Sequence, residues 1–254
     1  MPSPPERVAF SVFGIDIMWY AIIVVAALLV GVVVVCGRAR RYGYKTDTVI
    51  DFMLFCIPAG IVGARLYYVL FNLEYFSQEP LQVFNTRAGG LAIHGGLILG
   101  ILVALLLCRL WDIPPLKALD IAAPAFALAQ AIGRWGNYFN QEAHGGPTEL
   151  PWGMIVGGEK VHPTFLYESL WCLLLFLLLS RIDRRRGFSG RIFLLYCILY
   201  SFERFFVEQL RTDSLMLFGE IRQAQALSAA VFVVCLVAYF ILRHKDRRHG
   251  AMYY

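Results

Sequence analysis

The run IIVVAALLVGVVVV occupies residues 22–35, and the run LWCLLLFLLL occupies residues 170–179. Neither contains a charged side chain, and each lies within a longer apolar stretch. A helix needs about 20 mostly apolar residues to cross a lipid bilayer. Seven segments approach that length, which predicts an all-α integral membrane protein with about seven transmembrane helices, at residues 16–36, 48–71, 89–108, 118–138, 163–180, 191–210 and 223–242.

The composition excludes soluble and disordered classes of protein. The 254 residues are 59% hydrophobic and 16% charged, with a mean hydropathy of +0.61. A soluble domain has about 25% charged residues, and a disordered chain is polar and charged. The six cysteines are scattered without a CxxC pair, which is typical of small apolar residues in membrane helices. We therefore predict one polytopic membrane domain over residues 1–254, with a small extracytoplasmic segment at about 139–162.

Basic residues are distributed unevenly among the predicted connections. The connections after the odd-numbered spans, with Arg191 and the C-terminal tail, hold 15 of the 23 lysines and arginines, and the opposite set holds five. The positive-inside rule then places the N-terminus outside and the C-terminus in the cytoplasm. The net charge of +5 therefore indicates anionic membrane lipids as partners and not nucleic acid. Because the basic cluster follows the first apolar run, we expect that helix to be retained and not cleaved as a signal peptide.

Charged residues inside the sixth predicted span are the first candidates for function. Each charge within a bilayer costs about 2.5–3.5 kcal/mol on insertion scales, so such residues are rare without a role. Tyr200, Arg204, Glu208 and Arg211 recur at the spacing of one helical face. Glu203 lies about 100° away from Arg204, which predicts a different contact. Two cations against one anion on this face predict a leftover positive charge that attracts an anion.

The fourth predicted span ends in the sequence GRWGNYFNQEAHGG at residues 133–146. Arg134 and Asn137 share a helical face there. Gly133 and Gly136 leave room for the close approach of a helix or a ligand. An interfacial cap needs one or two polar residues, whereas this end has more, among them Asn140, Gln141 and Glu142.

Three further polar or aromatic residues are predicted near the same, outer side of the membrane. His94 lies between glycine pairs in GGLAIHGG at residues 89–96, so it either lines a cavity or serves only as a hydrogen-bonded packing residue. Glu168 follows about one turn into the fifth span, after the helix start at HPT. Tyr20 is either a site residue or an interfacial aromatic anchor, as its neighbour Trp19 would favour.

Paired arginines in an apolar bundle suit a phosphate, since the guanidinium fork matches phosphate oxygens bidentately. This chemistry leaves two functions open: an enzyme acting on a phospholipid, and a transporter or binder of an anionic lipid headgroup. A retinal protein is excluded, because all four lysines lie outside the predicted spans. The GxSG match at residues 187–190 favours a serine protease only weakly, and we interpret Ser189 as a turn residue.

These blocks together resemble the prolipoprotein diacylglyceryl transferases of bacterial inner membranes. The family signature Gly-Arg-x-Gly-Asn-Phe-x-Asn-x-Glu-x-x-Gly is matched from Gly133 to Gly145, with Tyr138 in place of phenylalanine. GGLAIHGG, HPTFLYE and ERFFVEQLRTD also look like family blocks in family order. The resemblance implies a multi-pass inner-membrane enzyme that moves the diacylglyceryl group of phosphatidylglycerol to a cysteine thiol. That cysteine belongs to the lipobox of a prolipoprotein signal peptide, and the products are a thioether and glycerol phosphate.

The resemblance also implies roles for individual residues. Arg134 and Arg204 would bind and neutralise the phosphate, His94 is the candidate base for the thiol, and Glu208 would act with them. The residues implied in substrate binding are Tyr20, Asn137, Asn140, Glu142, Gly145, Glu168, Tyr200 and Arg211. The reaction implies no metal and no cofactor, and no tight metal-ligand motif stands among the five histidines.

Overall fold

A computed structural model describes residues 6–85, 89–184, 187–214, 216–218 and 221–251. All seven predicted segments are helical. Their bounds, with a short additional helix α3, are α1 (Trp19–Arg41), α2 (Thr46–Leu70), α3 (Leu73–Gln78), α4 (Ile93–Leu110), α5 (Pro115–Asn140), α6 (Thr164–Ile182), α7 (Arg191–Leu210) and α8 (Gln223–Ala251). A 3₁₀ turn at Pro80–Phe84 follows α3.

Six of these helices are long and apolar enough to cross a membrane. Their outward faces are apolar: Leu29, Val33, Leu177 and Val234 are each more than half exposed. This is the arrangement of a protein whose surroundings are lipid. The remaining long helix, α7, has 20 residues but includes Glu203, Arg204 and Glu208, which lower its hydropathy. The prediction of an all-α membrane protein is confirmed, and the count of seven spans and the orientation of the termini stay predictions.

The chain divides into two compact units. The first unit comprises residues 1–35 and 119–254, and the second comprises residues 36–118. In the second unit, α2 and α4 pack backbone against backbone. A Cβ atom on Gly63 would lie 2.5 Å from the carbonyl oxygen of Gly95, and a Cβ on Gly95 would lie 2.2 Å from that of Gly63. These glycines therefore allow the close helix contact typical of small residues in membrane proteins.

The core of the first unit lies between α5, α6 and α7. Two small residues of α5, Ala123 and Ala127, are fully buried. Larger side chains from the other two helices fill the space against them, namely Leu175, Leu179, Ile192 and Tyr196. Alanines on α5 thus let α6 and α7 approach at short distance, which sets the positions of polar residues farther along the same helices.

Asp120 of α5 fixes the start of α7. Its carboxylate accepts hydrogen bonds from the backbone N–H groups of Gly190 at 2.7 Å and Phe193 at 2.9 Å. The first N–H groups of a helix have no partner within the helix, so a buried carboxylate from α5 replaces the usual local cap. Gly190 itself has φ = 93°, a left-handed conformation that suits glycine. Ser189 lies in the turn just before it, as predicted.

We expect Asp120→Ala to lower the free energy of unfolding by about 1–3 kcal/mol, because two N–H groups at the start of α7 lose their acceptor. Thermal unfolding in detergent would measure the loss, with the exposed Asp246→Ala as the matched control. An unchanged unfolding temperature in Asp120→Ala would contradict this account of the α7 start.

The described residues also form three two-stranded antiparallel pairs, which the sequence analysis did not predict: β1 (Val8–Val12) with β2 (Ile15–Met18), β3 (Met154–Val156) with β4 (Glu159–Val161), and β5 (Met216–Phe218) with β6 (Ile221–Arg222). The β3–β4 hairpin belongs to the segment predicted as extracytoplasmic. Met154 and Val161 of this hairpin are buried against Phe165 at the start of α6. The segment therefore has its own small apolar core next to α6.

Candidate functional site

Glu168 lies at the meeting point of three helices of the first unit. Its side chain is 1% exposed. Its Oε2 atom lies 2.5 Å from Nη2 of Arg134 on α5, and its Oε1 atom lies 3.2 Å from Nη1 of Arg204 on α7. Nη1 of Arg211, just after α7, is 4.0 Å from the same Oε1. One buried carboxylate of α6 thus contacts three arginines that the sequence analysis assigned to the site.

Glu208 is the second buried carboxylate of this cluster. Its Oε2 atom lies 2.7 Å from Nη2 of Arg204, one turn earlier on α7, and 4.0 Å from Nε of Arg211. Glu208 therefore pairs with Arg204 on the same face of α7 and lies near Arg211, the residue that follows the helix. Tyr200 joins the cluster from the preceding turn, since its hydroxyl accepts a hydrogen bond from Nη2 of Arg134 at 3.1 Å.

The predicted leftover positive charge on α7 is balanced within the protein, so that expectation is wrong. The expectation considered only the charged residues of α7, whereas Glu168 of α6 supplies a further carboxylate to Arg204. A second one, Asp213, was missed: it accepts two hydrogen bonds from Arg211, at 2.9 and 2.8 Å. Burial pushes the pKa of Asp213 up, but the bonded Arg211 guanidinium outweighs that effect and leaves the pKa below its usual value. The position of Asp213 two residues after Arg211 was the feature of the sequence that could have indicated this pair.

Glu203 is also buried, on α7 next to Arg204. Neither of its carboxylate oxygens has a hydrogen-bond partner among the described residues. The separate contact expected for Glu203 is therefore not a hydrogen bond in the part of the chain that the structure describes.

The end of α5 forms a second polar group. The side-chain amides of Asn137 and Asn140 each donate to Oε1 of Glu142 at 3.1 Å. The backbone N–H of Glu142 donates to the carbonyl of Asn137 at 3.1 Å, and Gln141 and Ala143 have positive φ angles of 56°. The chain thus turns sharply after α5, which brings these three predicted residues together.

Gly145 joins this turn to the ends of α6 and α7. Its N–H donates to the carbonyl of His162 at 2.9 Å. A Cβ atom on Gly145 would lie 2.7 Å from Cβ of His162 and 2.9 Å from the carbonyl oxygen of Leu210. Gly145 also forms a β-bridge with Arg211. The close backbone approach explains a glycine here, and it fixes the chain next to Arg211.

Tyr20 packs against α5 at Gly136. A Cβ atom on Gly136 would lie 2.7 Å from Cδ2 of Tyr20, so the ring occupies the space that this glycine leaves. The neighbouring Trp19 stacks on Phe139 with ring centroids 5.2 Å apart. A Cβ atom on Gly133 would have no neighbour within 4 Å among the described residues. The space beside Gly133, the residue before Arg134, is therefore open.

His94 lies at the start of α4 in the second unit, and its side chain is exposed. Its ring centroid is 6.1 Å from that of Tyr67 on α2. The glycine that follows it, Gly95, serves the packing of α4 on α2 described above. The role of His94 as a base stays a prediction.

A family model described as prolipoprotein diacylglyceryl transferase matches residues 7–241. The chain belongs to this family. A phosphatidylglycerol–prolipoprotein diacylglyceryl transferase of Clostridioides difficile is 47% identical over 244 residues, which cover 96% of this chain and 98% of the relative. Proteins of the same name from Finegoldia magna and Bacillus cytotoxicus are 47% and 44% identical, over 91% and 98% of this chain and 94% and 96% of their own lengths.

Membership in the prolipoprotein diacylglyceryl transferase family settles the choice between the two functions left open by the sequence. The relatives are named as transferases, and their similarity extends over nearly the whole chain. The chain is therefore an enzyme and a multi-pass membrane protein. The transporter interpretation has no support from these comparisons.

Proposed function

We infer that this transferase moves the diacylglyceryl group of phosphatidylglycerol to the lipobox cysteine thiol of a prolipoprotein signal peptide. The observation that supports this reaction most directly is the cluster of Arg134, Arg204 and Arg211 around Glu168 in an apolar helix bundle. Three carboxylates balance the charge of these arginines, but the guanidinium N–H donors lie close together, and such donors suit the phosphate of an apolar lipid.

The reaction replaces a carbon–oxygen bond with a carbon–sulfur bond. The cysteine sulfur attacks the glycerol carbon that bears the phosphodiester, and the bond from that carbon to the phosphate oxygen breaks. The thiol proton leaves to a base, and glycerol phosphate departs with one more negative charge on its phosphate. Arginines that bind this growing charge more tightly than the starting phosphodiester lower the barrier.

The buried carboxylates would orient the arginines for this task. Among the described residues, Arg134 uses only Nη2 in its polar contacts, with Glu168 and Tyr200. A guanidinium has five N–H donors, so other donors of Arg134 remain for a phosphate. The side chains of Arg134, Arg204 and Arg211 are 21%, 16% and 13% exposed, so the cluster is accessible to a ligand. Fixed donors of this kind need little reorganisation during the reaction.

The remaining proposed residues serve the thiol and the substrate. A free thiol has a pKa of about 8.5 and is mostly protonated at neutral pH, whereas the thiolate is the nucleophile. His94 is our candidate for the group that takes the proton. Tyr20, Asn137, Asn140, Glu142 and Gly145 form the proposed substrate-binding part next to the arginines.

Mass spectrometry of a lipobox peptide tests the proposed function. Purified protein in detergent would be mixed with phosphatidylglycerol and the peptide, and the peptide cysteine examined for a diacylglyceryl increment. A peptide with serine in place of that cysteine is the matched control. An increment on the cysteine peptide alone is the expected result. Its absence, with phosphatidylglycerol still bound, would contradict the transfer and favour a lipid-binding role.

We expect a variant without cysteines to retain activity, because the nucleophile belongs to the substrate. All six cysteines are free thiols, and two of them, Cys108 and Cys172, are buried. After substitution by alanine, the rate per folded protein should stay within about threefold of the unsubstituted enzyme. The peptide assay would measure it alongside Arg134→Ala. Complete loss of transfer by a folded cysteine-free variant would indicate a thiol of the enzyme in the reaction.

A further inference from the structure

Arg65 of α2 lies within a predicted span, as Arg134 and Arg204 do, but the arginine cluster does not include it. It is 8% exposed and lies in the second unit. All five of its N–H donors point at backbone carbonyl oxygens. Nε donates to Val83 at 2.8 Å, Nη1 to Gly89 and Gly90 at 3.0 and 2.9 Å, and Nη2 to Gln82 and Asn85 at 2.5 and 2.9 Å.

The charge of Arg65 has no carboxylate partner among the described residues. Its guanidinium carbon lies 5.8 Å from the ring centroid of Tyr68 and 5.2 Å from that of Phe76, within the range of cation–π attraction. Five carbonyl dipoles and two aromatic rings therefore stabilise this buried cation. Such an environment holds the guanidinium in one orientation and leaves it no donor for a substrate phosphate.

The carbonyls belong to the chain that leads into α4. Gly89 and Gly90 have positive φ angles of 91° and 77°, and a Cβ on Gly90 would lie 2.4 Å from Nη1 of Arg65. Two residues later, the N–H of Ala92 donates to the carbonyl of Ala64, the neighbour of Arg65, at 3.0 Å. The start of α4 is thus attached to one turn of α2 by side-chain and backbone hydrogen bonds.

We propose that Arg65 is a positioning residue that fixes the chain before α4 and thereby orients His94 at the first turn of α4. The catalytic consequence rests on the proposed function, whereas the fixation of the chain does not. Lysine is not an equivalent, because its three donors on a flexible stem cannot reach five carbonyls arranged around a planar fork. A misplacement of about 1 Å at a reacting group can lower a rate by about 10²-fold.

Hydrogen exchange tests the fixation independently of activity. In the full-length protein, Arg65→Lys should speed amide exchange in peptides that cover residues 79–85 and 89–97. Peptides from α6 should exchange at an unchanged rate. The control is Arg109→Lys, an exposed arginine in the last turn of α4. Unchanged exchange before and at the start of α4 in Arg65→Lys would overturn the proposal.

A double-mutant comparison with His94→Asn tests the positioning role. Arg65→Lys alone should lower the transfer rate per folded protein by at least about tenfold. In the His94→Asn background it should change the remaining rate little, because the group that it positions is gone. An equal loss in both backgrounds would mean that Arg65 supports folding in general, which would overturn the positioning role.

Two outcomes separate this proposal from the proposed function. If the unsubstituted protein transfers no diacylglyceryl group, the proposed function fails, and the exchange comparison still decides whether Arg65 fixes the chain before α4. If His94→Asn turns over too slowly to measure, faster exchange at residues 93–97 in Arg65→Lys supports the proposal. Unchanged exchange there overturns it.

Discussion

Arg134→Ala is expected to lower the rate of diacylglyceryl transfer by about 10²–10³-fold or more, the loss typical of removing one donor that stabilises transition-state charge. The substitution removes the arginine that contacts Glu168 at 2.5 Å and donates to Tyr200. It also removes one partner of the Glu168 carboxylate. The negative charge of Glu168 is then less well neutralised, and it repels the departing phosphate. The thioether product in the peptide assay measures the rate under single-turnover conditions.

Arg134→Lys tests whether transfer depends only on the positive charge of Arg134 or also on the shape of its guanidinium. Lysine retains the positive charge but lacks the planar fork that can contact Glu168 and a phosphate together. We therefore expect Arg134→Lys to remain at least about tenfold slower than the unsubstituted enzyme. Arg243→Ala, at an exposed position on α8, is the matched control. Full activity of a folded Arg134→Ala would contradict the phosphate-binding role.

The helices could be predicted from the sequence because lipid imposes a simple requirement on length and apolarity. Each of the seven segments became a helix close to its predicted bounds, including the charged α7. The hairpins could not be predicted in the same way. The β3–β4 strands have three residues each, and the burial of Met154 against Phe165 accompanies their pairing. That contact is a tertiary one, so no local sequence pattern predicts it.

In the candidate site, too, helical spacing predicted the local features but not the contacts between helices. Tyr200, Arg204 and Glu208 share a face of α7, as their helical spacing predicts, and Arg204 pairs with Glu208. Arg211, which was predicted on the same face, instead follows the end of α7 at Leu210 with an extended backbone. The contacts of Glu168 with α5 and α7 depend on how three helices pack around small residues, which spacing does not reveal. The prediction of an unbalanced positive charge on α7 was therefore wrong, because carboxylates from α6 and from the turn after Leu210 neutralise its arginines.

The second large effect concerns the stability of the arginine cluster. Glu168→Leu removes a carboxylate from a buried position where it contacts two arginines within 3.2 Å. Breaking a buried ion pair from one side costs about 3–5 kcal/mol, since the remaining charge loses its partner. We expect the unfolding temperature in detergent to fall by roughly 6–20 °C and transfer to be lost. Glu159→Gln, on an exposed part of β4, is the matched control.

The double substitution Arg134→Met with Glu168→Leu separates stability from catalysis. It removes one cation and one anion together, and the Arg204–Glu208 and Arg211–Asp213 pairs remain. Replacing both members of a buried pair by apolar residues is often neutral or stabilising, so most of the lost unfolding temperature should return. Transfer should stay absent, because the phosphate-binding arginine is missing. Recovery of transfer together with stability would assign Arg134 and Glu168 to the framework of the bundle, and the phosphate would then have to be bound by Arg204 and Arg211 alone.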